Sequence, residues 1–151
     1  MPTEGFTTGL DVSIDLYDAS DRSIASIPGI TSFSAKARTN KLESRTLDGE
    51  NNFGTTHQGY EITIAYDRQD GRIDAYFAEK ERRYREKLPS QTVTITQTIR
   101  EPDGSLSQYR FEKVTLDQDD AGTYTRDEKV TGSITGMAGK RVDVLRRGQV
   151  V

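Results

Sequence analysis

His57 is the only histidine in the chain. It follows Asp48 and Glu50 in the stretch "RTLDGENNFGTTHQGYEITIAYDR". A histidine near a carboxylate is a common general base. It needs a nucleophile or a proton donor to act on. No serine stands in a nucleophile-elbow pattern, and there are no cysteines. A zinc site would need three or four ligands, and no second histidine or any thiolate exists to supply them. His57 is therefore read as a hydrogen-bonding loop residue.

The acidic run "DQDDAGTYTRDE" is the second candidate. Calcium loops place oxygen ligands at alternate positions with a glycine at the sixth. Asp117, Asp119, Gly122 and Glu128 match the first, third, sixth and twelfth positions, but Ala121 takes the fifth. The flanks read as strands rather than helices. A solvated acidic hairpin is the expectation. Gly49, Gly54 and Gly59 are spaced by five, which fits neither GxGxxG nor GxxxxGK. Nothing singles out a glycosidase-type carboxylate pair among 24 acids. The reading is a protein without catalytic, cofactor or metal residues, hence no enzyme.

The elements that would position such groups are mostly strands. Val12, Ile14 and Leu16 follow Leu10 in strict alternation with polar residues. "DASDRS" breaks that strand and Ile27-Pro28-Gly29 marks a turn. Ile30 to Thr39 predicts a second strand with Phe33, Ala35 and Ala37 on one face. Residues 39–58 show no sustained period and predict a long interface loop, since plain connections are shorter. Gly59 to Asp67 predicts a strand with Tyr60, Ile62, Ile64 and Tyr66 inward.

Gln69 to Leu88, about 70–88 at its core, predicts the one helix, capped by Asp70. Ile73, Phe77, Tyr84 and Leu88 form its stripe, with Tyr76 beside it. Glu79 with Arg83, Glu81 with Arg85 and Arg82 with Glu86 are spaced for ion pairs. "QTVTITQTIR" then places Val93, Ile95 and Ile99 on one face and Thr92, Thr94, Thr96 and Thr98 on the other. "EPDGS" predicts a hairpin turn into Leu106 to Leu116. There the apolar phase shifts between Phe111 and Val114, which predicts a bulge. Tyr124 to Met137 and Val142 to Leu145 predict the last strands. The sum is one domain over 1–151, mainly β, an antiparallel barrel or sandwich of six to seven strands with one helix.

Composition limits the core. Leu, Ile, Val and Phe together number 31 of 151, just above the level of roughly 20% where disorder begins. Sharp period-2 patterning with so few large apolar residues fits burial completed by neighbouring subunits, strands with two wet faces as in a wide barrel, or an ordinary small domain with a polar surface. Charge is segregated. Residues 101–128 carry eight acids and three bases, while 129–151 carry five bases and one acid. Such halves are complementary between copies. No basic patch suggests tight nucleic-acid binding. "MPTEGFTTGLDVS" has neither the basic start nor the apolar run of a secretory leader. No stretch approaches the roughly 18 apolar residues of a spanning helix. The lack of cysteine fits a reducing compartment.

The order of "ARTNKLESRTLDGENNFGTTHQGYEITIAYDR", an amphipathic helix, a Thr-rich hairpin and a late "EKVTGSITG" strand resembles the tail tube proteins of contractile-tailed phages. Through them it resembles the tube proteins of type VI secretion and pyocin-like particles. The resemblance implies a tail-tube fold in hexameric rings with a continuous inner β-barrel. It implies rings stacked into a hollow tube inside a contractile sheath, through which DNA is ejected. The partners implied are further copies of the chain, a sheath protein, and baseplate and terminator proteins. The place implied is the virion tail, after synthesis in the host cytoplasm.

Lys41, Leu42, Glu43, Arg45, Leu47, Asp48, Gly49 and Phe53 would then form the contact between subunits or rings. Leu42, Leu47 and Phe53 would be its apolar anchors, and Gly49 and Gly54 would set its turns. Thr92, Thr94, Thr96 and Thr98 would face the lumen. No cofactor is expected. A secretion or bacteriocin particle is the near alternative. A monomeric ligand-binding barrel, with residues 45–58 as a lid, is the distant one.

Overall fold

The computed structural model describes residues 12–17, 23–26, 29–69, 71–89, 91–146 and 148–150. Leu10, Ile27, Pro28 and the proposed cap Asp70 lie outside them. The strands are β1 (Val12–Tyr17), β2 (Ser23–Ser26), β3 (Ile30–Arg45) and β4 (Asn51–Asp67). The helix α1 (Arg72–Arg85) follows. Then come β5 (Val93–Arg100), β6 (Leu106–Asp120), β7 (Thr131–Ala138), β8 (Lys140–Arg146) and β9 (Gln149–Val150). All pairings are antiparallel, in the order β2-β1-β5-β6-β7-β4-β3.

β6 organises the sheet because it is long enough to serve three partners. One edge pairs with β5. Its other edge pairs with β8 over Gln108–Glu112 and with β7 over Thr115–Asp120. Between these halves lies the bulge that the phase shift predicts. Val93 faces Val114 and Ile95 faces Phe111, with Lys113 in a left-handed conformation. The extra residue keeps Phe111, Val114 and Leu116 all inward, and all three are buried.

The sheet curls over its own core. Phe33 of β3 meets Phe111 of β6 with ring centroids 6.0 Å apart, although two strands, β7 and β4, separate them in the hydrogen-bonded order. Tyr60 meets Phe111 edge-on at 5.8 Å. Ile62, Ile64, Ile95 and Ile134 fill the space between. These positions carry the alternation read from the sequence, because each strand buries one face. On β7 the inward residues are Gly132, Ile134, Gly136 and Ala138. Small residues there let Tyr66 and Leu116 lean across the strand from either side.

Besides a longer β6 and β8 and the short β9, the strands differ from expectation in three places. Ser23–Ser26 pairs with β1, where the sequence offered only a break. Four residues are too few to show a period. The predicted strand from Tyr124 begins only at Thr131, because 121–130 is a turn-rich loop closed by Glu128 N donating to Thr125 O at 3.2 Å. The third and largest difference is the segment 39–58, described below.

The helix packs through Ile73, Tyr76 and Phe77. Tyr84 is 83% exposed and Leu88 is exposed too, so the predicted stripe stops short. Lys80 takes the next inward position. Its ammonium donates to the Leu116 carbonyl and to Asp117 Oδ1 at 3.0 Å. Glu79 pairs with Arg82 rather than Arg83, at 2.5 Å, while Arg82–Glu86 and Arg85–Glu81 form as spaced. Arg83 instead donates to the Pro89 carbonyl at 3.0 Å. Lys80→Ala is expected to cost about 1 kcal/mol, since a charged hydrogen bond half in water is worth less than a buried one. Urea unfolding checks this, with Arg85→Ala near neutral as control.

Candidate assembly interface

The segment read as a long loop is a β-hairpin arm. β3 and β4 continue past the sheet body as a two-stranded ribbon, paired from Thr39↔His57 to Arg45↔Asn51. At the rise of an antiparallel strand, its seven residues reach roughly 24 Å. Every residue from Lys36 to Gln58 is exposed. That explains why no period marked it: a strand shows alternation only when one face is buried.

The tip is a tight turn. Thr46 N donates to the Glu50 carbonyl at 3.0 Å and Gly49 N to the Thr46 carbonyl at 3.1 Å. Thr46 Oγ1 donates to Asp48 Oδ1, and this bond holds the Asp48 carboxyl below its ordinary range. Gly49 thus sits in the predicted turn. Gly54 does not: it lies inside β4 opposite Leu42.

Register assigns the faces. Lys41, Glu43 and Arg45 share one face with Phe53 and Thr55; Leu42 and Gly54 share the other. Leu42 is 51% exposed, Phe53 76% and Leu47, at the tip, fully. So the three apolar anchors point in three directions. A shallow concavity of about 530 Å³ is lined by Lys41, Leu42, Glu43, Phe53, Gly54 and Thr55. The Arg45–Glu43 pair at 3.6 Å is largely exposed.

The arm springs from a bulge. Gln58 and Gly59 together oppose Arg38. Gly59 has φ +87°, and a Cβ there would lie 2.3 Å from the Ala138 carbonyl oxygen. Only glycine fits. Across the bulge, His57 rests edge-on against Tyr60 at 5.1 Å. Arg141 of β8 lies over both Tyr60 and Tyr109, at 5.4 and 4.9 Å from their centroids. No local pattern marks this cluster, because Tyr60, Tyr109 and Arg141 are far apart along the chain. The glycine just ahead of "YEITIAYD" was its one visible sign.

The threonine row lies on the outer face of β5. Thr92 precedes the strand and is exposed, and Thr94 and Thr98 are half-buried. Thr96 is only 9% exposed, between Asp15 and Arg110 in register. The row is therefore not evenly wet. Its neighbours are paired charges. Arg110 binds Glu112 at 2.8 Å, and Lys140 binds the same carboxylate at 3.1 Å. The Lys140 contact is the main reason the Glu112 carboxyl titrates below its usual range.

The acidic run is split among separate tasks. Asp117 binds Lys80, Asp119 accepts from Ser133 Oγ at 3.0 Å, and Asp120 accepts from Gly122 N at 2.9 Å. Among the described residues no group of three or more candidate ligands could hold a metal ion.

No family model matches the sequence, and no curated protein matches it. Solved structures do match. The chain is similar to a component of the sheath-tube complex of an extracellular contractile injection system, PVC, in the extended state. That match has TM-score 0.63 and 14% identity, and it covers 99% of this chain and 95% of the other. It is similar to a chain of the anti-feeding prophage cap, which terminates that particle's tube, with TM-score 0.67, 15% identity and coverage of 100% and 95%. It is similar to a chain in the C6-symmetric tail of an empty GTA particle, with TM-score 0.57, 11% identity and coverage of 93% and 100%. The shared property is the fold, mainly β with one helix among the described residues, found in components of extracellular contractile injection systems, of the anti-feeding prophage cap and of a GTA tail.

Proposed function

We propose that this chain is a structural subunit that polymerises as stacked hexameric rings into the hollow inner tube of a contractile particle. The observation that carries the reading is the arm. A two-stranded ribbon is marginally stable alone in water. This one holds fully exposed Leu47 and largely exposed Phe53 away from its own core. Such a ribbon gains its stability from a neighbouring subunit. Both outer strands, β2 and β3, also leave edges open to pairing in a single copy. Closing the sheet between copies removes that aggregation hazard.

The polar face of β5 and β6 supports a lumen role for Thr94 and Thr98. Arg110 and Lys140 share the Glu112 carboxylate, which offsets one of their two charges. A lining with few unpaired cations lets a polyanion slide rather than bind. The passenger in this reading is DNA, and the outer partners are a sheath protein, a baseplate and a terminator. The PVC and anti-feeding prophage likenesses favour an injection particle as strongly as a phage virion. A monomeric ligand-binding barrel fits less well, since the inward faces are filled by Phe111, Ile62, Ile64, Ile95 and Ile134.

Negative-stain microscopy of the purified protein tests the reading. Six-fold rings or hollow tubes are the expected result. A stable monomer in gel filtration at every concentration and salt would overturn it. His57→Ala is expected to leave assembly within about twofold of wild type. Losing one edge-on aromatic contact costs about 0.5–1.5 kcal/mol, and His57 has no nucleophile to serve. Light scattering during assembly measures it.

A further inference from the structure

We propose that the arm of one copy seats on residues 121–130 of the next copy; this rests on the tube reading above. A head-to-tail stack needs two different surfaces at opposite ends of one subunit. β4 supplies that axis. Its first half is the arm, and its last residue, Asp67, pairs with Thr131 at the start of β7. The loop 121–130 therefore leaves the sheet at the end opposite the arm.

That loop offers what the arm lacks. Tyr124 is 69% exposed and unclaimed by the core, an aromatic surface for Leu47 and Phe53. Arg126 and Asp127 are almost wholly in solvent, paired with each other at 3.6 Å. Around that centre the arm carries Lys41 and Arg45 with Glu43, Asp48 and Glu50, and the loop carries Arg126 and Lys129 with Asp127 and Glu128. The contact therefore combines an apolar centre with a rim that holds charges of both signs on each side.

The absence of cysteine makes the test clean. The double variant Leu47→Cys/Tyr124→Cys is assembled and then oxidised. Both sites are exposed, so folding should be untouched. The expected result is a ladder of covalent oligomers, because each copy offers one arm and one acceptor. Leu47→Cys paired with Tyr84→Cys on the helix should give less than a tenth of that product. Tubes that form without a 47–124 ladder, or that cross-link through position 84, overturn the acceptor while leaving the tube reading intact. Failure of the unsubstituted protein to form rings or tubes overturns both.

Discussion

A chain in which Lys41–Thr55 is replaced by Asn-Gly is expected to fold normally and to form no tubes. The replacement joins Asn40 to Thr56, which are already cross-strand partners. Asn-Gly is the favoured two-residue turn for such a join. The excised residues are all exposed, so the core loses nothing. Its melting temperature should stay within a few degrees of wild type. Assembly should behave differently. Burying Leu42, Leu47 and Phe53 against a neighbour is worth about 1.5–3 kcal/mol each. Losing even half of the combined total, about 3 kcal/mol, raises the critical concentration more than roughly a hundredfold. Sedimentation across a concentration series measures it. Tubes of normal length at wild-type concentration would show that the arm serves some other purpose.

The contrast between the arm and the body explains what could be read in the sequence. Val93 and Ile95 alternate with threonine because β5 has a core face and an outer face, so the strand was visible. The "EPDGS" turn was visible because its chemistry is local. Asp103 Oδ1 accepts from Ser105 N at 2.9 Å, and Glu101 N donates to the Ser105 carbonyl at 2.8 Å. The bulge at Lys113 was visible as a slip in phase. The arm had no such signal. Its Lys41, Leu42, Glu43 and Ser44 face solvent on both sides of a single copy, so no alternation marks them. Tyr84 misled for the opposite reason. Its spacing suits the stripe, but Tyr84 itself is 83% exposed while Lys80 makes the inward contact to β6. The clamp of Arg141 on Tyr60 and Tyr109 depends on tertiary folding and leaves no local pattern.

Gly136→Val is expected to be among the most damaging single substitutions in the body. Gly136 faces the core in the middle of β7, paired with Ile62 on one side and Leu116 on the other. A Cβ there would lie 2.6 Å from the Thr115 carbonyl oxygen and 2.8 Å from Leu116 Cδ2. The first obstacle is backbone in a hydrogen-bonded strand, so it cannot swing aside. Relief requires opening the β6–β7 ladder at the point where both sheet halves meet. Overpacking of this kind costs about 3 kcal/mol or more, a large part of the stability of a single domain. For a chain of this size that lowers the melting temperature by roughly 6–12 °C. Gly54→Ala is the matched control. A Cβ at Gly54 has only the Leu42 Cβ nearby, at 3.9 Å, and alanine there should be neutral or slightly stabilising. Thermal unfolding of both variants, followed by circular dichroism, separates the two kinds of glycine. Equal melting temperatures would mean that β7 is not packed as closely as Tyr66 and Leu116 require.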